Sequence, residues 1–228
     1  MNNPRMTPHT DSTAKDTVET FCNQVFWLRT TRRIYKELFE EEDSRILMEK
    51  TASSFFSHLS TVLQNYLLLE FVKITDPPRT GKNENLTVEN IVVSIDWPAP
   101  VKDKLQALSK KTRVFRGYVL EARNKLLAHS DKDAFLAGKP LGAFPEGEDE
   151  TFLKTLEEIC NLAHEVCFGS VFGHLLLAAP GDVIDFKKSL FNSIAFDQLL
   201  SESEGQEKIK LYSYLQKARQ QKGTKAGS

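Results

Sequence analysis

The feature that most constrains the fold is an apolar seam that runs through residues 99–129. Steps of four and three residues keep side chains on one face of an α-helix, as in a long helix packed within a bundle. The sequence therefore predicts a helix over about 99–129, with Pro98 and Pro100 at its start. The seam consists of Val101, Leu105, Leu108, Thr112, Phe115, Val119, Ala122, Leu126 and His129.

Helical periodicity also recurs on both sides of this seam, and no segment shows convincing strand alternation. An Asp16–Glu19 pair resembles a capping box at the start of the first helix. The segment LTVENIVVSI is rich in β-branched residues, but Thr87 before an acid favours a short helix. The other helices are predicted at about 17–41, 44–75, 149–178, 182–200 and 205–219.

The helix over 44–75 has an unusually wide apolar face, which predicts a central position in the bundle. His58 within it is expected to pack in the core. The apolar stripe consists of Phe55, Leu59, Val62, Tyr66 and Leu69, and it is broadened by Phe56, Leu63 and Leu67.

Long helices joined by polar loops predict an all-α fold, an antiparallel four-helix bundle with additional C-terminal helices. Residues 1–15 are expected to form a disordered tail and residues 16–180 the bundle. Residues 181–228 are expected to form a C-terminal helical extension with a frayed basic tail.

Cysteine number, apolar segments and charge limit the classes of protein to which this chain can belong. The cysteines Cys22, Cys160 and Cys167 are odd in number, which favours a reducing cytoplasm over a disulfide scaffold. Residues 1–15 lack an apolar segment, so no signal peptide is expected, and the longest apolar runs are too short to span a membrane. The net charge is −1, yet residues 101–132 carry nine Lys or Arg against three acids, a local excess of +6.

A set of three polar residues follows along the same seam helix: Arg123, Asn124 and His129. One reading is structural, with a satisfied interior histidine and a solvated arginine. The other is metal-independent RNA cleavage. An imidazole can take the proton of a 2′-hydroxyl, a guanidinium can grip phosphate oxygens at two points, and an amide can orient either group.

The spacing of Arg123 and His129 bears on how such a site would be assembled. Six residues turn a helix by about 240° net, so these two side chains do not share a helix face. They converge within one chain only if the helix ends near His129. Otherwise they meet across a two-fold axis between two copies of the chain.

The segment RNKLLAH, at the end of a long third helix, resembles the HEPN superfamily (higher eukaryotes and prokaryotes nucleotide-binding domain). Its motif is an arginine, a polar residue and a histidine, which match Arg123, Asn124 and His129. The order of FWLRTTRRIYKELF, the FFSHLSTVLQNYLLLEFVKITD helix, LTVENIV and RNKLLAHSDK is similar to the abortive-infection, AbiU-type branch. The resemblance covers roughly residues 20–180.

The resemblance implies a homodimer in which the two motifs face each other. Many HEPN proteins are metal-independent endoribonucleases of toxin or antiviral systems that leave a 2′,3′-cyclic phosphate, whereas others are non-catalytic modules that bind a nucleotide or a protein. The resemblance therefore implies an RNA substrate, no cofactor, and an antitoxin or a nucleotidyltransferase as the partner protein. In this reading His129 is the base, Arg123 the phosphate clamp and Asn124 the orienting residue, while Arg116 and Lys125 guide the RNA backbone.

Two further patterns have both a functional and a structural interpretation. Cys160, His164 and Cys167 stand at i, i+4 and i+7, but no fourth ligand is evident, so core thiols beside a polar histidine are favoured over a metal site. The stretch RTGKNEN lacks the spacing and the Ser/Thr of a P-loop, so it predicts an ordinary loop. Phosphate contact by its Arg79 and Lys82 is the alternative interpretation.

Overall fold

A computed structural model describes residues 12–122, 144–173 and 181–221 of the chain. This described part contains seven α-helices and a single hairpin of two-residue strands, which confirms the all-α class. A π-helical segment, Lys36–Glu40, follows α1, and the hairpin strands are β1 (Arg79–Thr80) and β2 (Asn83–Glu84). The helices are α1 (Ser12–Tyr35), α2 (Glu42–Ile74), α3 (Val88–Ser94), α4 (Ala99–Ala122), α5 (Glu148–Phe168), α6 (Val183–Glu202) and α7 (Gly205–Gln221).

The start of α1 and the end of α5 differ from those predicted. The helix α1 begins at Ser12, so Asp16 lies inside it and the predicted capping box is wrong: the Asp16 carbonyl oxygen accepts from the Thr20 hydroxyl at 2.7 Å. The helix α5 ends at Phe168, ten residues before the predicted end at 178. Gly169 there adopts a left-handed conformation (φ 75°) and its N–H donates to the Glu165 carbonyl oxygen, a conformation that glycine tolerates best.

The short helix α3 and the start of α4 match their predictions. Thr87 caps α3 by accepting from the Asn90 N–H at 3.2 Å. Trp97 follows α3 and donates its indole N–H to the Ile91 carbonyl oxygen at 2.8 Å. The Pro98 carbonyl oxygen then accepts the first N–H bonds of α4. The threonine cap therefore outweighed the β-branched residues that gave this segment its strand-like composition.

Residue contacts divide the chain into two compact units. One is Met1–Lys36 with His58–Leu177, and the other is Glu37–Ser57 with Ala178–Ser228. The helix α2 runs through both, and its regular backbone is interrupted at Ala52 (φ −161°, ψ 70°). Residues 37–57 therefore belong to the same unit as the C-terminal helices. Periodicity alone did not predict this grouping.

An aromatic cluster lies at the core of the first unit. Phe115 of α4 stacks on Phe152 of α5 with ring centroids 4.4 Å apart, and Phe71 of α2 meets both rings edge-on. The buried face of α4 is the predicted one, and Val25 of α1, Leu105 of α4 and Leu156 of α5 are fully buried. The helices α2, α4 and α5 therefore each contribute one ring to a packed cluster that excludes water from between them.

The buried face of α2 is only in part the predicted one. Phe55, Val62 and Tyr66 of the predicted stripe are 62%, 48% and 43% exposed. Phe56 and Leu67, which were predicted to broaden that stripe, are buried, and so is Phe71. The prediction that His58 packs in the core is also wrong, because this side chain is exposed. Since apolar residues surround much of α2, periodicity could not decide which side faces the core.

The second unit holds α6, α7 and the N-terminal part of α2. Asp182 caps α6 by accepting from the Ile184 N–H at 2.9 Å. Phe56 of α2 packs on Phe186 of α6 with centroids 6.1 Å apart, and Lys187 pairs with Glu41 at 3.0 Å. Both predicted C-terminal helices are thereby confirmed.

Candidate functional site

The predicted catalytic residues Arg123, Asn124 and His129 lie outside the described residues, as does the predicted RNA-binding residue Lys125. Their roles stay predictions. The structure describes the scaffold that leads to them, because α4 extends through Ala122, the residue directly before Arg123.

The seam of α4 is confirmed as far as the structure describes side chains. Leu105, Thr112, Phe115 and Val119 are buried, and Val101 and Leu108 are half-buried on the same face. The Thr112 hydroxyl donates to the Ser109 carbonyl oxygen at 2.8 Å, so this polar seam residue is satisfied within its own helix. The buried seam therefore packs α4 against its neighbours over the residues whose side chains are described.

Arg116 is the one predicted RNA-binding residue that the structure describes. Its guanidinium donates to Asp76 Oδ1 at 2.8 Å and lies 3.4 Å from both the Val72 carbonyl oxygen and the Thr75 hydroxyl. These acceptors surround the C-terminal end of α2, where a cation is favoured by the helix dipole. The described contacts of Arg116 therefore tie α4 to α2, and its role in RNA binding stays a prediction.

The remaining cations of α4 face outward. Arg113 pairs with Glu89 of α3 at 2.8 Å, while Lys102, Lys104, Lys110 and Lys111 are exposed. The local excess of positive charge predicted from the sequence thus lies largely on the surface of this helix. Such a surface favours the approach of a polyanion.

The loop after α2 closes as a two-residue hairpin turn, with Gly81 at φ 62°. Arg79 pairs with Glu84 across the strands at 2.8 Å, and Lys82 at the turn is exposed. Phosphate contact by Arg79 and Lys82 stays a prediction.

The cysteine and histidine cluster of α5 has a structural arrangement. Cys160 and Cys167 are buried, and His164 stacks on Phe168 while its Nδ1 lies 2.6 Å from the Ser170 carbonyl oxygen. Burial, together with the neighbouring Cys22, raises the pKa of the Cys160 thiol well above its usual range. In the described part of the chain, no group of three or more His, Cys, Asp or Glu side chains is arranged to hold a metal ion.

A cavity between α1 and α5 is a feature that the sequence reasoning missed. Arg29, Arg32 and Arg33 of α1 line it together with Lys36 of the following π-helical segment, at the spacing i, i+3, i+4 and i+7. The signal was present in the segment RTTRRIYK, whose basic residues share one helix face.

Comparison with known proteins identifies the family. The HEPN family described as AbiU2 matches residues 11–186, a range that includes α1 to α5 and the Arg–Asn–His motif. No curated protein and no solved structure gave a significant match. Across residues 12–122, 144–173 and 181–221, every helix is too short or too polar to cross a membrane. Because the match covers well over half of the 228 residues, this chain belongs to the AbiU2 family of HEPN proteins.

Proposed function

We propose that the protein is a metal-independent endoribonuclease of the HEPN type that acts as a toxin or antiviral abortive-infection effector. The observation that carries the proposal is the motif Arg123–Asn124–x4–His129, which lies within the matched region and directly follows the buried seam of α4. A non-catalytic HEPN module that binds a nucleotide or a protein is the alternative, and the same experiment separates the two.

The chemistry assigned to these residues is internal transesterification of RNA. Neutral His129 accepts the proton of the 2′-hydroxyl, and the 2′-oxygen attacks the neighbouring phosphorus. The bond from phosphorus to the 5′-oxygen breaks, and that oxygen takes up a proton from an imidazolium or from water. The products are a 2′,3′-cyclic phosphate and a 5′-hydroxyl, and Arg123 offsets the charge that develops on the phosphate oxygens.

The proposed site is composite and requires a homodimer. Arg123 and His129 are six residues apart and do not share a helix face, so a site built from two copies brings their side chains together more readily than one copy. Arg116 and Lys125 are proposed to guide the RNA backbone toward it. An antitoxin or nucleotidyltransferase partner is proposed to restrain the activity.

The test is a cleavage assay on total RNA with the purified wild-type protein, with and without EDTA. We expect cleavage that EDTA does not change, and fragments that carry 2′,3′-cyclic phosphate and 5′-hydroxyl ends. Light scattering on the same sample is expected to give a dimer. If the wild-type dimer cuts no RNA after co-purifying partners are removed, the endoribonuclease proposal is overturned. The non-catalytic binding module then takes its place.

A further inference from the structure

The helix α6 carries an apolar stripe on its outward face. Ten of the twenty residues of this helix are apolar, and Val183 alone among them is buried in the structure, which describes α6 in full. Ile184, Phe191 and Leu199 recur on one face and are 42%, 64% and 46% exposed. A helix that is apolar on more than one face is usually packed on more than one face, so this stripe is expected to have a partner.

The opposite side of α6 is held against the start of α2. Phe186 packs on Phe56 of α2 with ring centroids 6.1 Å apart. Lys187 pairs with Glu41 at 3.0 Å, and the same carboxylate accepts from the Ser44 hydroxyl at 3.3 Å. These contacts lie within the second unit, and they leave the stripe exposed.

An apolar groove of about 630 Å³ lies beside Phe191, between the start of α2 and α6. Ile46 and Leu47 line it from α2, and Phe191 and Ile194 line it from α6. Both walls belong to the second unit. The surface thus presents an exposed ring and an apolar recess side by side. An identical surface can therefore supply the ring that enters the recess.

The stripe is nearly symmetric about Phe191. Ile184 lies seven residues before it and Leu199 lies eight residues after it. If two copies of α6 pack antiparallel about a two-fold axis near Phe191, Ile184 of each copy lies opposite Leu199 of the other. At 1.5 Å per residue, the contacts extend over about 22 Å of helix. The spacing of the stripe is therefore complementary to itself.

The charges on the stripe allow two identical copies to approach. Lys188 and Glu202 share its face, and Lys188 pairs with Asp185 of its own helix at 3.5 Å. In the antiparallel arrangement Lys188 lies opposite Ala195, so no like charges meet. The helix holds two lysines against three acids, a net charge of −1. An RNA backbone or an anionic membrane would instead be matched by surplus positive charge.

We propose that α6 docks against α6 of a second copy of this chain, antiparallel, with Phe191 near the two-fold axis. The inference goes beyond the proposed nuclease, because two copies can pair through α6 whether or not the Arg–Asn–His motif cuts RNA.

Light scattering over a dilution series of the full chain measures the dissociation constant of the dimer. Phe191→Glu places two carboxylates near the axis and should raise this constant about tenfold or more. Ser193→Glu is the matched control, because it adds the same charge at an exposed position two residues on and about 200° around the helix. It should leave the constant unchanged. Both positions are exposed, so both variants should fold, and thermal melts check this.

Ile184→Glu and Leu199→Lys test the antiparallel register. Each variant alone sets an unpaired charge opposite an apolar side chain at both ends of the helix pair, and each should weaken the dimer. Mixed in equal amounts, the two variants should form a heterodimer about as tight as the wild-type dimer. One end of that heterodimer joins opposite charges, and the other end keeps Ile184 against Leu199.

The proposal is overturned if Phe191→Glu and Ser193→Glu change the dissociation constant equally, or if mixing the two register variants restores no dimer. A wild-type dimer that Phe191→Glu leaves intact also overturns it, while the proposed nuclease stands. A dimer that Phe191→Glu weakens and Ser193→Glu does not supports it, even if the wild-type protein cuts no RNA. The failure of this interface and the failure of the nuclease are therefore distinguishable.

Discussion

The Arg116 guanidinium of α4 donates to Asp76 Oδ1 at 2.8 Å, just beyond the C-terminal end of α2. Both side chains are partly exposed, at 22% and 29%, so the pair is screened in part by solvent. The pair holds α4 against the end of α2 at a point seven residues before Arg123. A contact that stabilises the bundle therefore lies close to the start of the predicted motif.

Breaking this pair is expected to lower stability modestly. Arg116→Gln should reduce the free energy of unfolding by about 1 kcal/mol, because it removes a charge-assisted bond and a cation at a helix C-terminus. Asp76→Asn should have a similar effect, and the double variant should cost less than the sum of the two. Chemical denaturation of all three measures the coupling. Arg113→Gln, at a more exposed pair, is the control and should change stability by less than about 0.5 kcal/mol.

The stacked pair of Phe115 and Phe152 should carry far more of the stability. Phe152→Ala removes a buried ring that contacts aromatic rings of two other helices, and we expect a loss of about 3–5 kcal/mol. Val114→Ala on the exposed face of α4 is the control and should change stability by less than about 0.5 kcal/mol. Equal losses in the two variants would contradict the buried cluster.

Two glycines should respond oppositely to alanine. Gly117 lies inside α4 with open space around the missing Cβ, so Gly117→Ala should stabilise by about 0.5–1 kcal/mol through helix propensity. Gly169 ends α5 at φ 75°, where an alanine is strained, so Gly169→Ala should destabilise by about 1 kcal/mol. Thermal melts of both variants test whether α5 ends at Gly169 in this left-handed conformation. A higher melting temperature for Gly169→Ala would contradict that helix end.

The Cys160 thiol should make stability fall in alkali. Its pKa is raised in the folded protein, so the folded state holds the proton more tightly than the unfolded chain does. The stabilisation is complete below about pH 8.5, the ordinary pKa of a cysteine thiol, and is lost as pH rises beyond it. Cys160→Ala should flatten the alkaline fall in melting temperature. A thiol reagent should label the native protein slowly at neutral pH and rapidly once it is unfolded, because all three cysteines are buried.

The motif residues should affect catalysis far more than folding. We expect His129→Ala to lower RNA cleavage by about 10²–10⁴, because it removes the general base, while the melting temperature and the dimer are kept. Arg123→Lys should also fail to cleave, because it keeps the charge but loses the planar two-point grip on phosphate. A cleavage assay beside thermal melts checks both variants. If the motif is instead structural, His129→Ala should destabilise the fold, and Arg123→Lys should change neither the melting temperature nor any activity.

The sequence by itself determined the helices and most of their buried faces. In α1, α4 and α5 most apolar residues recur on one side, so a single choice of face satisfies the burial of Phe21, Leu105 and Leu156. Local chemistry was equally decisive at Thr87 and Asp182, where a side-chain oxygen satisfies the free N–H groups of a helix start. These features depend only on neighbours in the chain.

Tertiary structure decided what local patterns leave open. The helix α2 offers apolar side chains on several faces, and only its packing against Phe115 and Phe152 determined that Phe71 is buried while Val62 is exposed. The cationic cavity likewise required α5 to place Glu150 and Lys154 opposite the basic face of α1, more than a hundred residues away in the chain. Periodicity specifies one helix at a time, whereas a shared core and a cavity between two helices are properties of the pair.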